Sequence, residues 1–233
     1  MEKKLTAKKL FVTGVGTDVG KTYVSSLIIK ELHAAGYSCA YYKAAMSGNA
    51  RDHNGALIPG DAAFVKHVSG IEQDLSSMCP YVYEAAVSPH LASRIEGNPI
   101  QMDVIKSCFE ALCHDYDYIV IEGSGGIVCP LRFDGQEIWL EDVVSEIKSG
   151  CVIVSSSGLG AINSVTLTVE YMRARKIPIR GVIFNRFHPG DVMEEDNVRM
   201  CERRTGIKRL ACIQEGDKEL DIDVETLKRL FSV

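Results

Sequence analysis

The sequence contains no long hydrophobic run, no block of basic residues and no signal-peptide pattern. Its apolar runs stay well short of the roughly 20 residues that a membrane-spanning helix needs. Lys and Arg are spread along a chain of net charge −5, which argues against a nucleic-acid partner. The N-terminal segment MEKKLTAKKLFV begins with basic residues, but its apolar part is too short for a signal-peptide core. We therefore expect a cytoplasmic protein that binds neither membranes nor nucleic acids.

Paired cysteines are also missing. The eight cysteines are scattered, include no C-x-x-C pair, and in several cases fall inside apolar runs. A free cysteine in such a run packs as a small hydrophobic side chain. We therefore expect reduced thiols, as in the cytosol, and neither a disulfide framework nor a cysteine-bound metal.

Strand and helix patterns follow one another without an internal repeat, a low-complexity tract or a linker. Buried strands are predicted for the runs KKLFVTG, SCAYYKA, DYIVIEG, CVIVSSSG, PIRGVIFNR and RLACI. Helices are predicted over 21–35, 61–68, 103–114, 162–175, 191–205 and 224–231. The segment 45–99 is otherwise irregular. We predict one α/β domain over residues 1–233, with a doubly wound, mostly parallel sheet flanked by helices on both faces.

The stretch FVTGVGTDVGKTYVS, residues 11–25, nearly matches the phosphate-binding loop pattern G-x-x-x-x-G-K-[ST]. Gly20, Lys21 and Thr22 are in place, but Val15 stands where the first glycine belongs. Backbone N–H groups at such a helix start bind phosphate, the lysine adds a mobile charge, and the hydroxyl can ligate Mg²⁺. The alternative is a glycine turn before a helix with a solvated lysine. We favour a nucleotide site of the P-loop NTPase type.

Other polar residues and glycines follow the remaining predicted strands. Ligands of open parallel sheets bind at the carboxyl ends of the strands, so we expect these residues to converge on one edge. They are Lys43 and Ser47, Glu122 with Gly123, Gly125 and Gly126, Gly158 and Gly160, and Asn185.

Several of these residues have alternative explanations. Glu122 follows four apolar residues, as a Walker-B acid does, but it could also face solvent at a strand end. Asp61 could hold a metal, cap a helix, or both. Lys43 ends an apolar strand, where a lysine is costly unless it meets an anion. Ser47 could have an ordinary turn role, and His90 could be a general base or a structural, helix-capping residue.

The motifs FVTGVGTDVGKT, YYKAAMSG, GDAA, SPH, IEGSGG and GLGAIN appear in the order typical of dethiobiotin synthetases. From Leu10 to about Asn185 the chain resembles that family, with a weaker match beyond. The family's own loop carries the same one-residue offset, so the misfit at Val15 favours the resemblance.

The resemblance implies a homodimeric cyclo-ligase that forms carbon–nitrogen bonds in biotin biosynthesis and uses MgATP. An amine of 7,8-diaminononanoate captures CO2 as a carbamate, whose oxygen attacks the γ-phosphate to give a carbamic–phosphoric anhydride. The second amine then displaces phosphate and closes the cyclic urea. Phosphoryl transfer to a carbamate brings negative charges together, so placed cations are needed.

The resemblance also assigns roles to matching residues. Lys43 would be the active-site lysine, Lys21 would neutralise phosphate charge, and Thr17 would face the reacting diamine or carbamate. Substrate binding is implied for Ser47 and, from the neighbouring subunit, Gly160 and Asn163. Metal binding is implied for Thr22, Asp61 and Glu122. ATP binding is implied for Asp18, Val19, Gly20, Lys21, Thr22, Tyr23, Asp61, Glu122, Gly123, Ser124, Gly125, Asn185, Arg186, Gln214, Glu215 and Gly216.

Departures from the family pattern concern the nucleotide base. Arg186 follows Asn185 where the family usually has Asp, and Gln214, Glu215 and Gly216 occupy a segment that commonly contains proline. Ser164 also stands where the family frequently has His. From these changes we form the hypothesis that selectivity among nucleoside triphosphates is relaxed.

Three other functions fit parts of the sequence. A related amidotransferase-associated synthetase would normally need a glutaminase domain that 233 residues cannot hold. An ATP-switched partitioning or regulatory module usually carries a second lysine early in its loop, and no lysine precedes Lys21 in GVGTDVGKT. A nucleotide-binding fragment without activity is the third alternative.

Overall fold

The computed structural model describes residues 7–231. The predicted single domain over 1–233 and the basic N-terminal segment extend into residues 1–6 and 232–233, which lie outside the described part. The strands are β1 Lys8–Gly14, β2 Cys39–Lys43, β3 Ala45–Met46, β4 Tyr81–Val82, β5 Tyr118–Gly126, β6 Pro130–Phe133, β7 Glu137–Trp139, β8 Gly150–Ser156, β9 Ile179–Asn185 and β10 Arg209–Ile213. The helices are α1 Lys21–Ala34, α2 Gly60–Ser69, α3 Leu75–Met78, α4 Pro89–Ile95, α5 Met102–Asp115, α6 Leu140–Ile147, α7 Ala161–Ala174, α8 Val192–Thr205 and α9 Val224–Leu230.

The predicted parallel sheet is confirmed. Six strands lie in the order β10-β9-β8-β1-β5-β2, and every neighbouring pair is parallel. The first two strands are parallel, as predicted, but β5 lies between them. In the β2–β5 pairing Lys43 is opposite Glu122, so the register alone places these two residues side by side.

Helices cover both faces of the sheet, which explains the continuous apolar runs in its strands. Alternate residues of β1 enter different cores: Leu10 and Val12 pack on the face of α1, α2 and α9, and Phe11 on the face of α4 to α8. Apolar residues of α1, including Leu27, are fully buried in the first core. The doubly wound architecture is therefore confirmed.

The helices begin and end close to the predicted positions, but short elements were not predicted. The irregular segment 45–99 contains β3, α3, β4 and α4 besides the predicted α2. The segment after β5 forms the antiparallel hairpin of β6 and β7, followed by α6. The strands β3, β4, β6 and β7 have only two to four residues each. Strands of this length are too short to show a periodicity, so the sequence pattern does not predict them.

Two expectations about the chain's exterior and thiols can be compared with residues 7–231. Within that range, no helix is long and apolar enough to cross a membrane. All eight cysteines fall in the described part, and all are free thiols there.

Candidate active site

A cavity of about 1110 Å³ opens at the carboxyl ends of β1, β2 and β5. Its walls come from the glycine loop, from the starts of α1, α2 and α4, and from the turn after β5. Many of the predicted site residues line it: Thr17, Asp18, Gly20, Lys21, Thr22, Tyr23, Lys43, Ser47, Asp61, Glu122, Ser124, Gly125 and Arg186. The position agrees with the general location of ligand sites in open parallel sheets.

The loop before α1 has the backbone that a phosphate loop requires. Gly20 occupies the cap position of α1 with φ 93°, and a Cβ there would lie 2.0 Å from Asn185 Nδ2. Only glycine fits that combination of positive φ and close approach. The Lys21 ammonium donates to the Gly16 carbonyl at 2.8 Å, so its side chain folds back over the loop. Burial lowers the pKa of Lys21 below its ordinary value, although the charge of Glu122 acts in the opposite direction.

Thr22, Lys43, Asp61 and Glu122 form a connected cluster of polar side chains beneath this loop, and a fifth side chain, Tyr41, joins it through Glu122. Glu122 Oε1 accepts hydrogen bonds from Thr22 Oγ1 at 2.9 Å and from Lys43 Nζ at 2.7 Å. Lys43 Nζ also donates to Asp61 Oδ2 at 2.5 Å. The carboxylate of Glu122 accepts a further hydrogen bond, at 2.9 Å, from the Tyr41 hydroxyl. The solvent-facing alternative for Glu122 is wrong, because the residue is only 1% exposed.

The ammonium of Lys43 stays charged despite its burial. Burial acts to lower its pKa, but the carboxylates of Glu122 and Asp61 outweigh that effect and hold the pKa above its ordinary value. A buried lysine with two anionic partners satisfies the condition under which a charge at a strand end is tolerated. The cluster therefore places the Lys43 ammonium at the wall of the cavity.

Local structure explains how Asp61 reaches this cluster. Helix α2 begins at Gly60, with Pro59 in the cap position, so Asp61 lies in the first turn and is not the cap residue. The Asn49 side chain accepts a hydrogen bond from the Gly60 N–H at 3.0 Å and donates to Tyr83 O at 2.8 Å. Asn49 thereby ties the start of α2 to Tyr83, the residue that follows β4. The helix-cap interpretation of Asp61 is thus wrong, and its side chain is directed to Lys43.

The donor set of the cluster suits magnesium. One hydroxyl and two carboxylates meet there, all of them oxygen donors, which is the ligand type that Mg²⁺ prefers. Among residues 7–231 no group of three or more His, Cys, Asp and Glu side chains could enclose a metal. Mg²⁺ commonly takes only one or two carboxylates and completes its shell with nucleotide oxygens and water, so the limited set found here fits it.

Some predicted site residues lie beside the cavity and do not line it. The Asn185 side chain is buried under the loop and donates from Nδ2 to Val19 O at 3.1 Å. Gly123 lies against the core on the face of α4 to α8, where an added Cβ would come within 2.8 Å of Leu140 and 3.0 Å of Phe11. Val19 thus lies in the phosphate loop and Asn185 under it, and Gly123 lies in the strand that carries Glu122.

Other predicted residues are exposed and are not among those that line the cavity. Gly160 and Asn163 lie at the start of α7, after β8, and 214–216 follow β10. The loop around Gln214 is tied to the rest of the site indirectly, since the Tyr23 hydroxyl donates to the Asp217 carbonyl. The strand ends thus share one edge of the sheet, but only those of β1, β2, β5 and β9 contribute to the cavity.

Ser47 and Ser124 line the cavity, whereas His90 does not. Ser47 lines the cavity after β3, and Ser124 Oγ donates to Ala45 O at 2.9 Å, which ties the end of β5 to β3. His90 is the second residue of α4, and its Nδ1 lies 3.0 Å from Ser88 Oγ. Its neighbours Ser88 and Pro89 line the cavity, whereas His90 is not among the lining residues. The structural alternative therefore describes His90 better than a role as general base.

Sequence reasoning missed several residues of the site. Tyr41 and Asn49 are buried and hold Glu122 and the start of α2, and the sequence motifs gave neither of them a role. Phe64, Val87 and Val128 add an exposed apolar wall to the cavity. A signal existed for Tyr41 alone: it stands two residues before Lys43 in a strand, so the two share a face.

A second polar cluster lies near the start of α7. The buried Glu194 of α8 accepts hydrogen bonds from Ser157 Oγ at 2.6 Å, His188 N at 2.9 Å and His188 Nδ1 at 2.9 Å. Asn197 Nδ2 donates to the carbonyl oxygens of Ser157 at 2.8 Å and Gly158 at 3.1 Å. These contacts hold the loop that leads to Gly160.

Comparison with known proteins agrees with this geometry. A family model described as an AAA domain matches residues 8–220. A curated relative from Brachyspira hyodysenteriae, named ATP-dependent dethiobiotin synthetase BioD, is 44% identical over 223 residues, covering 95% of this chain and 99% of the relative. A relative of the same name from Clostridium botulinum (strain Alaska E43) is 39% identical, covering 97% of this chain and 98% of the relative.

Solved structures share the fold at much lower identity. The MinC:MinD cell division protein complex of Aquifex aeolicus matches with a TM-score of 0.57 and 16% identity, covering 96% of this chain and 86% of that one. A plasmid partition protein from Borrelia burgdorferi matches with a TM-score of 0.58 and 14% identity, covering 97% and 96%. Identities of this size establish the architecture only. The near-complete coverage of the curated relatives does more: the chain belongs to the ATP-dependent dethiobiotin synthetase family.

Proposed function

We propose that this protein joins CO2 to 7,8-diaminononanoate and closes the cyclic urea of dethiobiotin, with ATP converted to ADP and phosphate. Family membership makes it a ligase of biotin biosynthesis. The observation that carries the proposal is the single cavity in which a G-K-T loop lies beside Lys43, Asp61 and Glu122. A site of this kind can hold a triphosphate and a second, anionic reactant together.

The two lysines supply the charge that the reaction needs. In the proposed reaction, one amine of the diamine attacks CO2, and the carbamate oxygen that results attacks the γ-phosphorus while ADP leaves. Lys21 would lie along the β- and γ-phosphates, and Lys43 beside the carbamate and the transferred group. Thr17 is exposed in the lengthened part of the loop and lines the cavity, which supports its assignment to the reacting diamine or carbamate.

The second amine then attacks the carbamoyl carbon and phosphate leaves, which completes the ring. Ser47 would contact the diamine near these reacting groups. The apolar wall formed by Phe64, Val87 and Val128 would pack on the aliphatic part of a reactant.

A magnesium ion would be held by Thr22, Asp61 and Glu122. When bound, it would neutralise phosphate charge and polarise the γ-phosphoryl group. The Asp61 side chain is 41% exposed besides its contact with Lys43, so it would reach the ion directly or through water. Thr22 reaches Glu122 from the first turn of α1, so both ligands would come from rigid elements.

The nucleotide base would lie on the side of β9 and β10. Arg186 lines the cavity with φ 56°, and the preceding Asn185 donates its amide to the loop, so both residues lie next to the phosphate loop. The exposed segment 214–216 would complete this pocket. A relaxed preference among nucleoside triphosphates remains part of the proposal, and kinetics with a strong preference for ATP over CTP would contradict it.

The functional unit would be a cytoplasmic homodimer with Gly160 and Asn163 serving the neighbouring subunit's substrate. Leu159 is 93% exposed, Leu167 is 62% exposed and Val192 is 78% exposed, all on or beside α7 and α8. Exposed apolar groups of this kind support a protein contact on that surface. The N-terminus of α7 would offer its N–H groups to the substrate carboxylate.

The proposal can be tested with purified protein, MgATP, bicarbonate and the diamine. ADP release should require the diamine, and a cyclic urea should form in equal amount. ATP turnover without diamine would overturn the synthetase function and favour an ATP-switched partitioning module, which shares the fold. The absence of a lysine before Lys21 in the loop argues against that second function.

A further inference from the structure

Tyr41 is a buried tyrosine beside the cavity, and the motif YYKAAMSG, in which it stands, gave it no role. It lies in β2, an edge strand of the central sheet, and is fully buried. It stands two residues before Lys43, so both side chains lie on the face of α1. Its hydroxyl donates to Glu122 Oε2 at 2.9 Å.

The backbone of Tyr41 is held by a side chain on the outer side of β2. Gln73 Oε1 accepts from the Tyr41 N–H at 2.8 Å, and Gln73 Nε2 donates to the Tyr41 carbonyl at 3.0 Å. Gln73 is itself only 2% exposed, and its Nε2 also donates to Ser77 Oγ at 3.1 Å. One amide therefore takes the place of a neighbouring strand at this residue, and holds Tyr41 in position relative to β5.

The hydrogen bonds to Glu122 are divided between its two oxygens. Oε1 accepts from Thr22 and Lys43, the two residues that serve nucleotide and substrate in the proposed function. Oε2 accepts from Tyr41. Because the carboxylate is buried, its orientation depends on these donors, and Tyr41 is the donor that lies farthest from the reacting groups in this assignment.

We propose that Tyr41, held by Gln73, is a positioning residue that orients Glu122 toward the cation bound with the nucleotide. This inference rests on the proposed function only in its nucleotide and metal part. Side chains that hold a metal ligand from behind set its orientation, and their loss commonly weakens metal binding. Tyr41 itself touches neither substrate nor metal in this assignment.

The test is Tyr41→Phe, with Tyr42→Phe as a matched control. Tyr42 is the next residue of the same strand, is equally buried, and donates its hydroxyl to Ile105 O at 2.8 Å in the opposite core. Both variants lose one buried hydroxyl and one hydrogen bond. Calorimetry should measure ADP binding with Mg²⁺ and, separately, with a chelator, in the absence of diamine.

In Tyr41→Phe, the gain in ADP affinity that Mg²⁺ provides should fall about tenfold. Binding without metal should match wild type, and Tyr42→Phe should keep the full gain. A folded Tyr41→Phe that keeps the same Mg²⁺ gain as Tyr42→Phe would overturn the proposal. If Tyr41→Phe does not fold, Gln73→Met decides: a reduced gain supports the proposal and an unchanged one overturns it. Failure of the proposed reaction would be seen separately, as ADP release by wild type that ignores the diamine.

Discussion

The two halves of the sheet edge hold their predicted residues in different ways. In the inner region, which comprises the ends of β1, β2 and β5, Lys43 and Glu122 are hydrogen-bonded inside one cavity. In the outer region, which comprises the ends of β8, β9 and β10, Gly160, Asn163 and 214–216 are exposed. In the inner region, one chain thus brings together the residues to which the proposal assigns phosphate and cation binding. The outer residues need a ligand or a second surface to act on.

Two buried glutamates show the same contrast. Glu122 borders the cavity and shares its donors with the cluster of Lys43. Glu194 accepts from Ser157 and from the backbone and ring of His188, so it holds one loop to another. Both carboxylates are buried and satisfied. A buried acid indicates a reactive site when its partners are charged groups that line a cavity, and a structural role when its partners are loops.

The largest expected effect comes from Lys43→Gln in the inner region. Removing the cation should lower turnover by about a hundredfold or more, since the proposed reaction depends on positive charge placed at the reacting group. ATP binding should persist, because the glycine loop and Lys21 remain. Steady-state kinetics and calorimetry measure the two effects. Lys106→Gln, which breaks an exposed pair with Glu146, is the control, and equal turnover in both variants would remove Lys43 from the mechanism.

Gly20→Ala tests the junction between the two regions. The new Cβ would lie 2.0 Å from Asn185 Nδ2, and the alanine would have to adopt a φ of 93°. Strain of about 1–3 kcal/mol should weaken nucleotide binding about tenfold or more. Gly36→Ala is matched, because Gly36 has φ 86° at the other end of the same helix and open space around it. If both variants bind nucleotide equally well, the close approach of Gly20 to Asn185 is not needed for nucleotide binding.

Asn163→Ala tests whether the outer region serves a second subunit. The KM for the diamine should rise about tenfold, the usual cost of a lost hydrogen bond to a charged group, while the KM for ATP stays unchanged. At diamine concentrations well below the wild-type KM, mixing this variant with Lys43→Gln and allowing subunits to exchange should give about a quarter of wild-type activity, because mixed dimers make up half of the population and half of their sites contain neither substitution. Activity that stays at the level of the separate variants would place both residues in the same subunit's site.

The smallest effect is expected from Glu194→Gln, which should cost about 1–3 kcal/mol of unfolding free energy. Urea unfolding measures it, with the exposed neighbour Glu195→Gln as control. Burial acts to raise the pKa of Glu194, but hydrogen bonds from Ser157 and His188 outweigh it and hold the pKa below 4.5. The hydrogen bond to Glu194 raises the pKa of His188 above 6.5.

The pH dependence of that loss in stability follows from the directions of the two pKa shifts. The contribution of Glu194 is present above pH 4.5 and is lost as the pH falls through its lowered pKa. The contribution of His188 is complete below pH 6.5 and is lost as the pH rises through its raised pKa. The difference between wild type and Glu194→Gln should therefore be largest between these two values. A difference that does not change with pH would show that the pair is not charged.

The sequence predicted the elements that repeat a period and the residues that stand in motifs. The runs around Phe11 and Ile121 are long enough to show buried strands, and the spacing within 21–35 is that of a helix. It missed the β6–β7 hairpin and Tyr41. A tyrosine inside an apolar strand is indistinguishable from a core residue until the partner of its hydroxyl is known.

By itself, the sequence determined the local features of this protein: the glycine loop before α1, the alternation of strand and helix, the positions of Lys43 and Glu122 near strand ends, and that of Asp61 near a helix start. These depend on neighbouring residues only. The tertiary structure decided which of them meet. Insertion of β5 between β1 and β2 sets Lys43 opposite Glu122, and Asn49 brings α2 and Asp61 to the same place. Such contacts join residues far apart in the chain, and they follow from strand order and register, which no local pattern encodes.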